Sequence, residues 1–562
     1  MLSCLAVRIL IGLYALAMLV RAVVFGLHPD AAYPDSYYYV DVARALQAGH
    51  GFNIDFIYSF LDVGGRIPAN PHLPIASNGF WMPLASIIQL PTIWLLGPTP
   101  LASALPFMLI GSLTAPLTWL IAREAGAAPK VAIAAALAVA LPAATTLYVA
   151  QPDNIALYQP IGLAAMWLTA RGLRGHRGSF ALAGLAVGLG ALARNDGLLL
   201  GAMVGLAFLW DRWRSWRSGG ARSPQIPWRF AAASFALFAA VTVPWYLRQL
   251  AIFGAISPSS GSSLLARTYQ DTNCATCPNS IDHLLDQGIG PLVASRLVGL
   301  VAAIAIFSAM IITVVLVPFA IAGARRRIRS THFGPFFLYA GILFGASSLL
   351  FAAYVPYGTF LHSAVALAPY TFILAFEGAA VAAHWAVRYR PAWTEEGAAR
   401  LFLVVAAASI VIDAAAFWAI EMPSWETDRD DRVAAGHALD AAGVPSTDLL
   451  LSVDPAGFKY FTGRGGVVTP NDSLEVIHEV ARDYDIRWLV LERAQIVEPM
   501  YPVIESISRP AWIGPPIFTV PYTGPKTGNA AEDAAPALVI YPVCTRAGDT
   551  RCAAPVGVRA AP

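Results

Sequence analysis

The sequence predicts a mostly α polytopic membrane protein, a bundle of about 11–13 helices followed by a small extracytoplasmic α/β domain. Three observations predict it. The 562 residues are 57% hydrophobic and only 13% charged, about half the charged share of an ordinary soluble protein. Many apolar runs reach the roughly 20 residues that cross a bilayer. From about Trp425 onward the pattern changes to short buried strands alternating with amphipathic helices.

The first run, 4–25, holds Arg8 and Arg21 but no small-residue cleavage site, so it reads as a retained first span rather than a removed signal peptide. Further candidate spans cover 83–97, 101–121, 131–150, 154–171, 180–194, 197–210, 230–247, 296–322, 333–353, 361–387 and 401–420. The connections Arg171-Gly-Leu-Arg-Gly-His-Arg177, 212–229, Arg325-Arg-Arg-Ile-Arg329 and 388–400 are basic, which places them in the cytoplasm. The transmembrane domain is therefore 1–421, with a first outside loop at 27–82 and a second at 248–295, and 422–562 forms the extracytoplasmic domain. Full crossings by every segment would put 248–295 on the wrong side. One segment must be re-entrant or interfacial: either 83–97, which is short and contains Pro91, or the pair 180–194 and 197–210, split by Arg194-Asn-Asp196.

In the C-terminal domain, 432–442 has helical spacing, 448–454, 487–492 and 537–541 read as strands, 473–483 as a helix, and the Pro- and Gly-rich 510–536 as loop. A net charge of +2 with arginines scattered over short loops gives no nucleic-acid surface. Cys274 and Cys277 form one close pair and Cys544 and Cys552 another. Zinc would need two more ligands, and only His283 is near, so two local disulfides are expected.

The polar stretch after the first span, His28-Pro-Asp-Ala-Ala-Tyr-Pro-Asp-Ser-Tyr-Tyr-Tyr-Val-Asp41, interleaves carboxylates with tyrosines at the bilayer surface. Asp35 follows a proline break and opens a helical pattern. It can cap that helix, worth about 1 kcal/mol, or serve as a general base toward an acceptor hydroxyl or amine. Asp153, Arg194 and Asp196 lie at membrane depth, where an ionised group costs several kcal/mol unless paired or hydrated. Arg194 and Asp196 can simply neutralise one another at a tight turn. Arg248 ends a span on the outside and can simply snorkel to the interface, or with Arg267 and His362 from outside loops it can hold a phosphate. No Walker loop, H-E-x-x-H, G-x-S-x-G or Rossmann fingerprint is present, so an activated donor is expected through the membrane as a lipid phosphate.

The order of Asp35-Ser-Tyr-Tyr-Tyr-Val-Asp-Val-Ala-Arg-Ala-Leu-Gln-Ala-Gly, Pro-Asp153-Asn, Ala193-Arg-Asn-Asp-Gly197, Pro244-Trp-Tyr-Leu-Arg248 and Gly358-Thr-Phe-Leu-His-Ser363 resembles the GT-C superfamily of membrane glycosyltransferases. The likeness is to the branch of protein O-mannosyltransferases and the lipid A aminoarabinose transferase, over roughly 1–390. The resemblance implies a hexosyl- or pentosyltransferase in the cell membrane. It would move a sugar from a polyprenyl-phosphate carrier to a glycan, lipid or protein acceptor on the non-cytoplasmic face. It implies Asp35 and Asp153 as catalytic acids, Arg194, Arg248, His362 and Arg267 at the donor phosphate, and Tyr37, Asp41, Tyr148, Asp196 and Asn78 lining the substrates. Ser36 stands where the family usually has a second acid, and His362 where it often has Arg or Lys. No motif calls for a cofactor; a divalent cation is compatible with the chemistry but not indicated. The alternative reading is a polytopic lipid or solute transporter or flippase, which uses paired intramembrane charges equally well.

Overall fold

The computed structural model describes residues 3–552 except 142, 220–222, 259–263, 278–279, 391, 526–527 and 547. They divide into two compact units. The first is Met1–Ala31, Trp81–Ala251 and Gly288–Met422; the second is Ala32–Phe80, Ile252–Gln287 and Pro423–Pro562.

The first unit is helical. Among the described residues six helices of the chain are long and apolar enough to cross a membrane: Cys4–Leu27, Pro100–Glu124, Trp228–Phe253, Ile289–Ile311, Thr359–Tyr389 and Glu395–Ala441. Asn154–Leu173 and Leu198–Arg217, of 20 residues each, are somewhat shorter and are not among them. Leu84–Leu96 would rise only about 20 Å as a continuous helix, short of a hydrocarbon core of about 30 Å. Arg177–Ala193, in the other candidate for the re-entrant segment, is also among the shorter apolar helices.

Two expected spans are broken. The 296–322 stretch is two helices, Ile289–Ile306 and Val317–Arg327, separated by a π turn, by Thr313 at φ +65° and by a short 3-10 turn. Pro318 sits in the first turn of the second helix, where its missing N–H costs nothing. The 131–150 stretch ends as helix at Ala140 and resumes as the single turn Thr146–Val149. Close packing elsewhere depends on small residues: a Cβ added at Gly378 would lie 1.8 Å from the Phe319 carbonyl oxygen. The Val317–Arg327 and Ala368–Tyr389 helices thus meet backbone to backbone, the usual contact between membrane helices.

The second unit is built on a six-stranded sheet in the order β2 (Phe56–Ile57), β5 (Gly466–Val468), β4 (Leu450–Ser452), β6 (Trp488–Glu492), β8 (Leu538–Pro542), β7 (Phe518–Val520). The first four are parallel; β8 and β7 are antiparallel additions. The first polar loop supplies β2, and also a two-stranded ribbon of β1 (Asn53–Ile54) and β3 (Ile75–Ala76). Gly466 permits the close strand pairing, since a Cβ there would sit 2.3 Å from the Leu450 carbonyl oxygen. Pro455–Thr462 and Leu474–Asp483 are the crossover helices between parallel strands.

The strand expected within 448–454 forms as β4 and those within 487–492 and 537–541 as β6 and β8, while 510–536, expected as loop, contains the three-residue β7. The helical 432–442 is not separate but ends the 47-residue helix Glu395–Ala441. Its Ala435 and Leu439 join Leu450, Phe458, Trp488, Val490, Leu538 and Ile540 in this unit's core.

Candidate active site

In the first unit three segments bring polar groups to one place. Asp153 follows a turn in which its N–H bonds the Gln151 carbonyl, and its carboxylate caps the Asn154–Leu173 helix by accepting the Asn154 N–H. Arg194, extended at φ −152°, ends the Arg177–Ala193 helix ahead of the single 3-10 turn Asn195–Gly197. Gly358, at φ +96°, turns the chain into the short helix Thr359–Ala364, which presents His362 and Ser363.

Arg194 ties these segments together. Its Nε donates to Asp196 Oδ1 at 2.8 Å and to Ser363 Oγ at 3.2 Å, its Nη1 to Asn154 Oδ1 at 3.2 Å and its Nη2 to the Thr359 carbonyl at 3.4 Å. Ser363 Oγ in turn donates to Asp196. His362 Nδ1 lies 3.0 Å from Asn154 Oδ1 and 3.9 Å from Asp153 Oδ2. Below them Tyr158 and Tyr339 share a hydroxyl hydrogen bond of 2.8 Å. The Arg194 side chain is 12% exposed and that of Asp196 16%. Charges so poorly hydrated persist only when paired, and a guanidinium held by four acceptors has a fixed direction as well as a fixed position.

The structure thus brings Asp153, Arg194, Asp196 and His362 together, and adds Asn154 and Ser363, which sequence reasoning did not single out. Each directly follows a residue that it did. Arg248 is engaged along its own helix, donating to Gln249 Oε1 at 2.8 Å and covering the Trp245 ring at 4.7 Å. The Tyr148 ring packs on Phe417 at 5.9 Å.

In the second unit Asp35 is half-buried in the first turn of the Pro34–Gln47 helix. The helix start is capped by its neighbour: Ser36 Oγ accepts the Ala32 and Tyr33 N–H groups, each at 3.1 Å, and donates to the Tyr33 carbonyl at 2.7 Å. Tyr37 is buried against Tyr460 and Phe461, at 5.3 and 5.5 Å between ring centroids. Asp41 is buried, 3.6 Å from Arg44. Burial pushes its carboxyl up to about 8, against the opposing pull of Arg44 and Lys459. Asn78 is buried at φ +66°, giving its N–H to the Tyr38 hydroxyl at 2.6 Å and accepting from Ser77 Oγ at 2.7 Å. The Arg267 N–H bonds the Asp271 carboxylate at 2.7 Å.

Both expected disulfides are closed, Cys274–Cys277 and Cys544–Cys552. Asp472 lies beside the first, but sulfurs bonded to each other offer no thiolate to a metal. Its carboxylate instead accepts the Ala275 N–H at 2.6 Å and the Thr276 hydroxyl, so the Cys274–Cys277 loop is docked on this unit.

At the carboxyl ends of β4 and β6, where an α/β sheet commonly binds a ligand, the crevice is occupied by protein. Arg432, 1% exposed, donates to Asp454 Oδ2 at 2.7 Å and to Glu492 Oε1 at 2.9 Å. Asp454 also caps the Pro455–Thr462 helix.

The sequence profile of the family described as dolichyl-phosphate-mannose-protein mannosyltransferase matches residues 83–245, which include Asp153, Arg194 and Asp196. No curated protein gives a significant match by sequence. Solved structures do match. ArnT from Cupriavidus metallidurans bound to undecaprenyl phosphate superposes with TM-score 0.55 at 14% identity, over 97% of this chain and 99% of that one. The apo oligosaccharyltransferase of Archaeoglobus fulgidus gives 0.54 at 12% identity, over 93% and 75%. The same archaeon's AglB, in complex with an inhibitory peptide and a dolichol-phosphate, gives 0.53 at 13% identity, over 91% and 73%.

The chain shares the fold of these structures. Within it the Arg194 cluster lies at helix ends, not along a helix face. Function-bearing groups suit such a position, because backbone donors and acceptors are already turned outward there.

Proposed function

We propose that the protein is an integral membrane glycosyltransferase that moves a sugar from a polyprenyl-phosphate donor to an acceptor on the non-cytoplasmic face. The observation that carries this reading is the Arg194 cluster. A guanidinium oriented in advance by Asp196, Asn154 and Ser363 costs no reorganisation when a phosphate develops charge beside it. The lipid phosphates named with two of the matching structures support the donor class.

In this reading Asp35 removes the acceptor proton as the acceptor attacks the anomeric carbon. The bond from that carbon to the phosphate oxygen breaks, and the lipid phosphate leaves with the electron pair. Arg194 takes up its charge, with His362, Arg248 and Arg267 as further phosphate contacts. Asp153, 3.9 Å from His362, orients that imidazole. Tyr37, Asp41, Tyr148, Asp196 and Asn78 shape the substrate surroundings. The two disulfides fit an oxidising compartment, which supports an extracytoplasmic second unit.

The test is to incubate purified protein with polyprenyl-phosphate sugars and a mixed acceptor pool, and to follow release of the free lipid phosphate. Sugar-dependent release is expected. Movement of the intact lipid from one leaflet to the other in reconstituted vesicles, without release, would select the transporter reading instead.

A further inference from the structure

The Leu198–Arg217 helix ends in Trp210-Asp211-Arg212-Trp213-Arg214-Ser215-Trp216-Arg217. Trp210 is 53% exposed and Trp216 78%, and tryptophans so placed belong at a membrane–water boundary. Beside this end is a cavity of about 760 Å³, closed on its other side by Ile328–Thr331 and the start of the Gly334–Leu349 helix. Its walls are apolar (Leu206, Leu209, Trp210, Leu338) and its rim is polar (Arg214, Arg329, Ser330, Thr331).

The charges around the cavity are unevenly used. Asp211, the one acid in the lining, is buried, and its carboxylate accepts the Gln225 and Ile226 N–H groups at 3.2 and 3.0 Å. Nearby cations are also engaged: Arg174 with Glu124, Arg327 with Glu377, and Arg212 over the Phe208 and Trp228 rings. Arg214 and Arg329 are exposed, and among the described residues neither side chain has a hydrogen-bond or ion-pair partner. Two uncommitted guanidiniums and two hydroxyls therefore border an apolar slot.

A soluble anion has no use for the leucine and tryptophan wall. A zwitterionic lipid would bring an ammonium against two arginines. We propose that this cavity binds one anionic glycerophospholipid, its phosphate held by Arg214 and Arg329 and the start of its acyl chains against Leu206, Leu209 and Leu338. The basic loops put it in the inner leaflet. This proposal does not depend on the glycosyltransferase reading.

The test uses the full-length protein in detergent, mixed with equal amounts of phosphatidylglycerol and phosphatidylcholine, with retained lipid counted by native mass spectrometry. One phosphatidylglycerol is expected to be retained in preference. The double variant Arg214→Ala/Arg329→Ala should weaken it roughly 30-fold, from about one surface-arginine contribution each. Leu206→Trp, which fills the slot with both arginines intact, should weaken it as well. Arg400→Ala, at an exposed arginine paired with Glu396, should leave it unchanged. Equal retention of phosphatidylcholine, unchanged binding in the double variant, competition by soluble glycerol phosphate, or preferential displacement by undecaprenyl phosphate would each overturn the proposal.

Discussion

Arg194 and Asp196, two residues apart, form an ion pair of 2.8 Å that is shared with Ser363, 169 positions away along the chain from Arg194. A turn that only neutralised its own charges would not need Asn154 and Ser363 as well. The same geometry explains why lysine is a poor substitute: an ammonium cannot reach Asp196, Asn154 and Ser363 with one fixed plane. Arg194→Lys is expected to keep the charge yet lose about 100-fold or more in sugar transfer, the scale of one preorganised donor. Arg194→Ala should lose at least as much activity. It should also destabilise the protein by about 3–5 kcal/mol, because Asp196 is left unpaired in a poorly hydrated place. Transfer assays together with thermal unfolding of both variants check this. Near-normal transfer by Arg194→Lys would leave the forked geometry without a role.

Asp35 and Ser36 are neighbours with different expected phenotypes. Ser36 accepts the N–H groups at the start of the Pro34–Gln47 helix, so Ser36→Ala is expected to cost about 1 kcal/mol of stability while sparing the chemistry. Asp35→Asn should unfold at the wild-type temperature but transfer sugar about 100- to 10,000-fold more slowly, the range for a lost general base. Full activity in Asp35→Asn would remove the base assignment.

Much of this was legible in the sequence, and the reasons differ by element. Arg194 and Asp196 stand out because an apolar run makes any ionisable residue conspicuous. The link from Arg194 to Ser363 is not visible, since nothing local records a partner so distant in the chain. The break at Thr313 is hidden because apolar residues flank it on both sides, and hydropathy does not register a backbone turn. β2 has two residues and β7 three, too few for an alternating pattern to show. Leu450–Ser452 and Trp488–Glu492 were readable as strands because each lies in a short apolar run buried throughout, and Leu474–Asp483 as a helix because it has one buried face. The short Pro455–Thr462 helix and the three-residue Gly466–Val468 strand between them were not read.

Arg432, Asp454 and Glu492 form a buried ionic group at the sheet's carboxyl edge. Arg432→Met should cost about 3–5 kcal/mol, because two buried carboxylates then lack their cation. Adding Asp454→Asn and Glu492→Gln should recover part of that loss by removing the stranded charges. Chemical unfolding of the single and triple variants measures the difference. If the triple variant is no more stable than Arg432→Met, uncompensated charge is not what the arginine prevents.

Asp41 carries a pH prediction. It is 7% exposed, and among the described residues its Oδ2 has no hydrogen-bond partner. Burial is the main reason its carboxyl is raised to about 8; Arg44 and Lys459 oppose the shift without cancelling it. Glu492 and Asp62 are raised to about 7, also chiefly by burial. An acid raised in the folded state holds a proton that the unfolded chain releases near pH 4. The stability these three carboxyls contribute is therefore greatest at low pH, falls as pH rises from about 4 to about 8, and levels off above that. Asp41→Asn removes one of the three titrations while keeping the shape. The variant should lose less stability than wild type between pH 5 and pH 9, and should unfold at a higher temperature than wild type at pH 9. A residual slope from Glu492 and Asp62 should remain. Unfolding temperatures of both proteins across that range decide it, and parallel pH profiles would show that Asp41 does not keep its proton in the fold.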